Sequence, residues 1–306
     1  MKNILPFEND VHVDTYHYLA YPYGIIKANF NNEQYYNSLF KHCSSLIWYG
    51  SNSTTQLAFD SYYFTWWEHF KKEEIDNSFI KSQNNNIVEY IKSCIDRNRY
   101  LYLCVDDFYI PNRYDFNRKH FKHDLLIYGY DDLSNGFLTA GYNNKGHYNK
   151  DYLSYYDLVK ATPEDFVLLN VNKAYELKYN KSDYLELINR YIQSSEETRG
   201  INSLFKLLDF VDEIYNDYML YDVKPFIVLQ KHKSVMYMLL KKAESKYPYD
   251  DLILKYENQF DICNRIKFSM MKYRFTKDKT LLSDVKKMIN ESIDIDYHCL
   301  QKMQEV

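Results

Sequence analysis

The spacing of apolar residues changes character near residue 175, and that change limits what the chain can fold into. From Lys181 onward the pattern is helical: Tyr184, Leu185, Leu187, Ile188, Tyr191 and Ile192 recur at three- and four-residue steps, then Leu204, Leu207, Leu208, Phe210 and Val211. Breaks at 198–200, around Pro225, at 246–248 and at 276–278 divide this stretch into about five antiparallel helices joined by short turns. Six of the seven glycines lie before residue 150 and none follows Gly200, which agrees with a turn-rich first part and a helical second part.

The first 172 residues mix both periods. Residues 32–48 and 76–97 read as helices, the second with Ile80, Ile87, Val88, Tyr90, Ile91 and Ile95 as its apolar positions. Segments 100–110, 123–130, 136–142 and 165–171 are short, β-branched or aromatic, and bounded by Asn, Asp, Gly or Pro, so they read as strands. Residues 131–136 form a hairpin connection, and 154–161 a short helix capped by Ser154. Helices followed by an antiparallel sheet make an α+β arrangement. At roughly 150 residues per domain, 306 residues allow two: 1–172 and an all-helical 173–306.

Charge and motifs narrow the functional classes. A net charge of −4 offers no electrostatic reason to expect nucleic acid or an anionic membrane as partner. No apolar run approaches about 18 residues and no signal-like segment opens the chain, so a cytoplasmic location is expected. Five cysteines, an odd number without CxxC spacing, read as thiols rather than disulfides or zinc ligands. His12 and His17 have no partner at metal-ligand spacing, so no metal is expected. Neither GxGxxG nor GxxxxGK[ST] occurs, which argues against a dinucleotide or P-loop site.

The chemistry concentrates in 105–161. His123 stands at the entry of a strand, where a side chain can face a cleft, and alternation puts it on one face with Leu125, Ile127 and Gly129. On the next strand Gly141 and Asn143 share a face, and a polar residue there could fix the orientation of the imidazole as the third member of a triad does. Asn143 reads equally well as part of the turn through Asn144 and Gly146. Asp106 and Asp107, close to Tyr109, could bind an amine substrate or hold Arg113. Trp66, Trp67, Glu68 and His69 could line an acyl pocket or simply fill a core. His120 reads as a bystander and Cys104 as core; Cys43, inside an expected helix, is either a buried thiol or a displaced nucleophile.

In these residues the chain resembles the cysteine-peptidase-like family whose named member is the N-terminal domain of the butirosin biosynthesis acyltransferase, itself similar to C39 peptidases. The resemblance covers about residues 10–170 and is strongest over 105–161. It implies a papain-like fold with a Cys-His-Asp or related triad, followed here by a helical bundle. Relatives in natural-product clusters, the polyamide-forming enzyme of closthioamide assembly among them, move an acyl group from a carrier-protein thioester onto an amine. The resemblance therefore implies His123 as general base and Asn143 as the orienting residue; Asp107, Tyr109 and Trp67 are the substrate contacts that the residues themselves offer. The partners implied are an acyl or peptidyl carrier protein and an amine acceptor, with no cofactor beyond the carrier's phosphopantetheine arm. The helical tail could cover the cleft, dock the carrier or dimerise.

One departure stands out. The family's nucleophilic Cys opens the first core helix, whereas residues 14–28 contain no cysteine. Thr15 is the nearest hydroxyl, its β-branch restricting attack geometry, and Cys43 is the first cysteine in the chain. Three readings follow: an acyltransferase, with or without a covalent intermediate; a catalytically degenerate module that binds a carrier or small molecule; and a C39-like thiol hydrolase.

Overall fold

The computed structural model describes residues 1–53, 55–61, 67–76, 87–243 and 250–302. In chain order the elements are β1 (Lys2–Ile4), α1 (His17–Asn29), α2 (Asn32–Cys43), β2 (Leu46–Trp48), β3 (Leu57–Phe59), β4 (Phe70–Ile75), α3 (Ile87–Asp96), β5 (Arg99–Asp106), β6 (Lys122–Asp131), β7 (Gly136–Tyr142), β8 (Tyr148–Ser154), α4 (Tyr155–Lys160) and β9 (Glu164–Val171). Five helices follow: α5 (Lys181–Ile192), α6 (Asn202–Asn216), α7 (Lys224–Ala243), α8 (Asp250–Thr276) and α9 (Thr280–Lys302). The chain is mixed α+β with an antiparallel sheet and a helical C-terminal region, and it divides into two compact units, 1–35 with 63–176 and 36–62 with 177–306.

The first unit is a seven-stranded sheet in the order β4-β9-β5-β6-β7-β8, with β1 paired to the far end of β6. Tyr100, Leu101, Tyr102 and Leu103 of β5 are all buried, so both faces of the sheet centre are covered. On one face lies α1, where Tyr21 meets Tyr102 and Tyr148, and Asn29 donates to the Tyr100 hydroxyl at 2.9 Å. Nine of the thirteen residues of α1 are buried, which makes it a core helix rather than a surface one. By alternation Leu101 and Leu103 point the other way, and α3 packs against β5 and β6 through Ile91, Cys94 and Ile95.

Two expected elements require correction. Residues 32–48 are not one helix: α2 ends at Cys43, and Leu46–Trp48 pairs antiparallel with Leu57–Phe59, because a run of Leu, Ile and Trp fits a buried strand. The strand expected over 100–110 stops at Asp106, whose carboxylate accepts from the Phe108 amide at 3.1 Å and starts a 3-10 turn at Asp107–Tyr109. Ser154 caps α4, accepting from the Asp157 amide at 3.0 Å. Trp66, Ile80 and the break expected at 246–248 lie outside the described residues.

The second unit gathers α5 to α9 around residues 36–62. Asn37 donates to the Leu177 carbonyl at 2.9 Å and accepts from Tyr184, and the Trp48 and Gly200 amides bond to Thr198 and Leu46 carbonyls. Gly200 sits at φ +58°, where a Cβ would also meet the Tyr191 carbonyl, so the turn between α5 and α6 requires glycine. At the centre of this unit Asp296 receives four donors. Lys233 forms an ion pair with its Oδ2, Tyr191 donates to Oδ2 at 2.7 Å, and Tyr256 and Gln259 donate to Oδ1 at 2.9 and 3.0 Å. Lys233 and Asp296 are both fully buried.

Candidate active site

The end of β5 and the start of β6 bring together the groups singled out in the sequence. Val105 pairs with His123 and Asp106 with Lys122, and the Asp107 amide continues the ladder to the Phe121 carbonyl at 2.9 Å. That register sets the Asp107 carboxylate behind the imidazole, with Oδ2 3.7 Å from His123 Nδ1. The His123 side chain is 34% exposed and that of Asp107 8%, so the ring reaches solvent while the acid behind it does not. Burial pushes the Asp107 carboxyl up to about 6; Arg113, its Nε 4.0 Å from Oδ1, works against that rise without cancelling it.

Its neighbour is shifted the other way. Burial would raise Asp106 too, but His120, 2.6 Å away, and the amides of Phe108 and Phe121 hold it below the usual carboxylate range. Two adjacent carboxylates with opposed environments, each beside a histidine, allow two protonation behaviours in one turn. The Asp106–His120 pair is the exposed one and stacks on Phe108, so it reads as the surface closure of the turn.

The N-terminus of α1 supplies the opposite wall. His17, the first residue of that helix, places its ring edge-on to His123 with centroids 4.4 Å apart, and meets Tyr142 at 4.6 Å. Tyr16, the N-cap residue, makes no side-chain capping bond. Arg113 lies under the end of β7, donating from Nη1 to the Tyr142 carbonyl at 3.1 Å. Gly141 leaves room for its guanidinium, which any Cβ at that position would strike. Among the described residues, Asp107 Oδ1, Thr15 Oγ1 and the Tyr142 hydroxyl are buried without a hydrogen-bond partner.

The remaining expected residues fall elsewhere. Asn143 is a turn residue: its Oδ1 accepts from the Lys145 and His147 amides at 2.9 and 3.0 Å, and the side chain lines an open polar cleft of about 570 Å³ with Asn112, Asn144 and Asp151. The carboxylate beside the imidazole is that of Asp107, the residue read from sequence as a substrate contact, at 3.7 Å and so beyond direct hydrogen-bond distance. Cys43 is fully buried in the second unit at the C-terminal end of α2, where the helix dipole disfavours a thiolate. Trp67 is core, its ring 5.2 Å from that of Tyr23. Tyr109 ends the 3-10 turn, half-buried against Phe108. Burial pushes the Cys104 thiol up to about 11, and Thr15 has no base beside it in the hydrogen-bond network.

The Asp107–Arg113 pair is the one the sequence offered as an alternative to amine binding; the approach of His17 to His123 and of Asp107 to the same imidazole escaped the sequence reading. Pairing of β5 with β6 was the signal that could have found Asp107, since a residue just past the strand end must lie beside the first residues of its partner. Among the described residues no group of three His, Cys, Asp or Glu is arranged to hold a metal ion. What the site contains is a half-exposed imidazole backed by a buried carboxylate, an arrangement able to take and return one proton. No protein-family model matches the chain, and no curated protein matches it.

Proposed function

We propose that this chain is an acyltransferase that makes an amide from a carrier-bound thioester and an amine, on a papain-like, C39-like scaffold, with His123 as general base. The observation that carries the reading is the buried Asp107 carboxylate 3.7 Å behind the half-exposed His123 imidazole. The scaffold reading is supported by a buried first helix whose start faces a strand-entry histidine on an antiparallel sheet. In the reaction the amine nitrogen attacks the thioester carbonyl and gives a proton to His123. The tetrahedral adduct then expels the thiolate, which takes that proton and leaves as thiol. Asp107 stabilises the imidazolium between the two transfers. Aminolysis of a thioester runs downhill, so positioning, a base and exclusion of water are what the protein must supply.

The nucleophile question is resolved in this scheme by having none. The resembling family carries its cysteine at the start of the first core helix, and residues 14–28 of this chain hold none, so in this scheme the amine attacks the thioester directly. Cys43→Ala and Thr15→Ala are accordingly expected to form amide at rates within about twofold of wild type, since neither group bears on proton transfer. A loss of about a hundredfold in either, with the fold intact by circular dichroism, would instead identify a covalent nucleophile.

The start of α1 also favours a second reading, that of a degenerate module which binds the carrier without chemistry. Incubation with an acyl-carrier thioester and a panel of amines separates the two. Amide product that disappears in His123→Ala supports the enzyme; carrier binding with no product from any amine supports the module.

Gly141→Ala provides a test of the Asp107 environment. The added methyl must displace the Arg113 guanidinium from its place by Asp107. The rate should fall about tenfold, the order expected when a positioning group shifts by about an ångström or less. The apparent pKa of the remaining activity should rise, because Arg113 opposes the upward shift of Asp107. An unchanged pH profile would remove Arg113 from the account.

A further inference from the structure

The helical unit exposes a face that the chemistry above does not use. Residues 265–279 read RIKFSMMKYRFTKDK, six basic residues to one acidic, in a chain whose net charge is −4. Within α8, Ile266, Met270 and Tyr273 are buried against the unit, as one stripe of a packed helix should be. A second apolar stripe, Phe268, Met271 and Phe275, points outward, with Phe275 82% exposed. The 3-10 turn Tyr218–Leu220 is pinned to the same helix: the Tyr218 hydroxyl donates to the Arg274 carbonyl at 3.3 Å and the Tyr221 hydroxyl to that of Met270 at 2.9 Å, with both rings against Tyr273 of the buried stripe. This turn holds Met219 out at 86% exposure.

Cations surround the stripe. Among the described residues, Arg265, Lys272, Arg274, Lys277 and Lys279 form no ion pair. The Lys267 ammonium lies over the Phe268 ring at 4.8 Å and that of Lys279 over the Tyr215 ring at 4.0 Å, so cation and aromatic surface are interleaved on this face.

We propose that this face attaches the protein to an anionic lipid surface, with Phe268, Met271 and Phe275 at the boundary of headgroups and acyl chains and the basic residues among the lipid phosphates. The stripe is the ridge of one helix, a shape that suits a flat bilayer. Four of the six cations are lysines, which protein interfaces disfavour and phosphate-rich surfaces accept as point charges. A second copy of the chain would bring like charges together. No helix among the described residues is long and apolar enough to cross a membrane. Whole-chain charge argued against a membrane partner, but at physiological salt a surface responds to charges within about 8 Å of it.

Flotation of the full chain with vesicles of phosphatidylcholine alone, and of phosphatidylcholine with about 25% phosphatidylglycerol, tests this directly. Binding to the anionic vesicles should exceed binding to the neutral ones by at least about tenfold and fall steeply with salt. The double variants Phe268→Ser/Phe275→Ser and Lys272→Glu/Arg274→Glu alter only exposed side chains and should each cost about tenfold or more in binding. The proposal is overturned by absence of binding to either vesicle, by equal binding to both, or by unchanged binding in both variants. It is equally overturned if sedimentation shows an oligomer that the Phe268→Ser/Phe275→Ser change dissociates, for then the face belongs to a second copy.

Discussion

Replacing His123 by alanine is expected to lower the rate of amide formation by two to four orders of magnitude, roughly the contribution of a positioned general base. Asp107→Asn should cost about a hundredfold, because a neutral amide cannot stabilise the imidazolium. The same substitution should have the opposite effect on stability. The folded state holds the Asp107 proton more tightly than the unfolded chain does, raising the group from 3.8 to about 6. Such a group lowers stability as pH rises from about 4 to about 6, and the loss persists above that range. Asp107→Asn removes it, so the variant should be more stable than wild type at neutral pH by about 2–3 kcal/mol and nearly equal to it at pH 4. Activity of the wild type should fall as pH drops through about 6, where Asp107 takes up its proton. A variant that is destabilised at neutral pH, or a rate that ignores this range, would contradict the assignment.

Asp296→Ala should have the largest effect on stability. It leaves the fully buried Lys233 ammonium without a counter-charge and deprives the Tyr191 and Tyr256 hydroxyls of their acceptor. Removing one partner of a buried ion pair costs about 3–5 kcal/mol, a sizeable fraction of a domain's total stability. Replacing both charges, as in Lys233→Met/Asp296→Leu, should recover most of that loss, because two desolvation penalties disappear with the attraction. Chemical denaturation of the three variants measures the difference. A cost below about 1 kcal/mol for Asp296→Ala would mean that water or a neighbouring group takes the place of the carboxylate.

The C-terminal helices and the sheet centre were legible because their burial leaves a period or an apolar run in the sequence, whereas α1, buried on nearly every side, leaves no one-sided period and was not read as a helix from spacing. β6, β7 and β9 lie inside the sheet and read as apolar runs. β4 and β8 did not read as strands, and both are edges of the sheet. Phe70 is the buried residue of β4, the rest being charged or half-buried, and β8 buries Tyr148 and Leu153 among exposed polar residues. Edge strands tolerate such charges and use them to resist pairing with other chains, so alternation is lost where the edge faces water. The site was half legible. His123 announced itself by its place at a strand entry, but the meeting of His17 with it depends on where a buried helix begins relative to a distant strand. Asn143 misled because spacing along the next strand cannot distinguish a side chain turned toward the imidazole from one that folds back to close its own turn.

Proton transfer by His123 without an acyl-enzyme is open to a rapid quench within the first turnover. Protein is mixed with an acyl thioester and an amine, stopped, and assayed at once for amide product and for the intact mass of the protein. Amide should accumulate while the protein mass stays unchanged, with product lost in His123→Ala. An acyl adduct that forms and decays at the rate of product formation would contradict it.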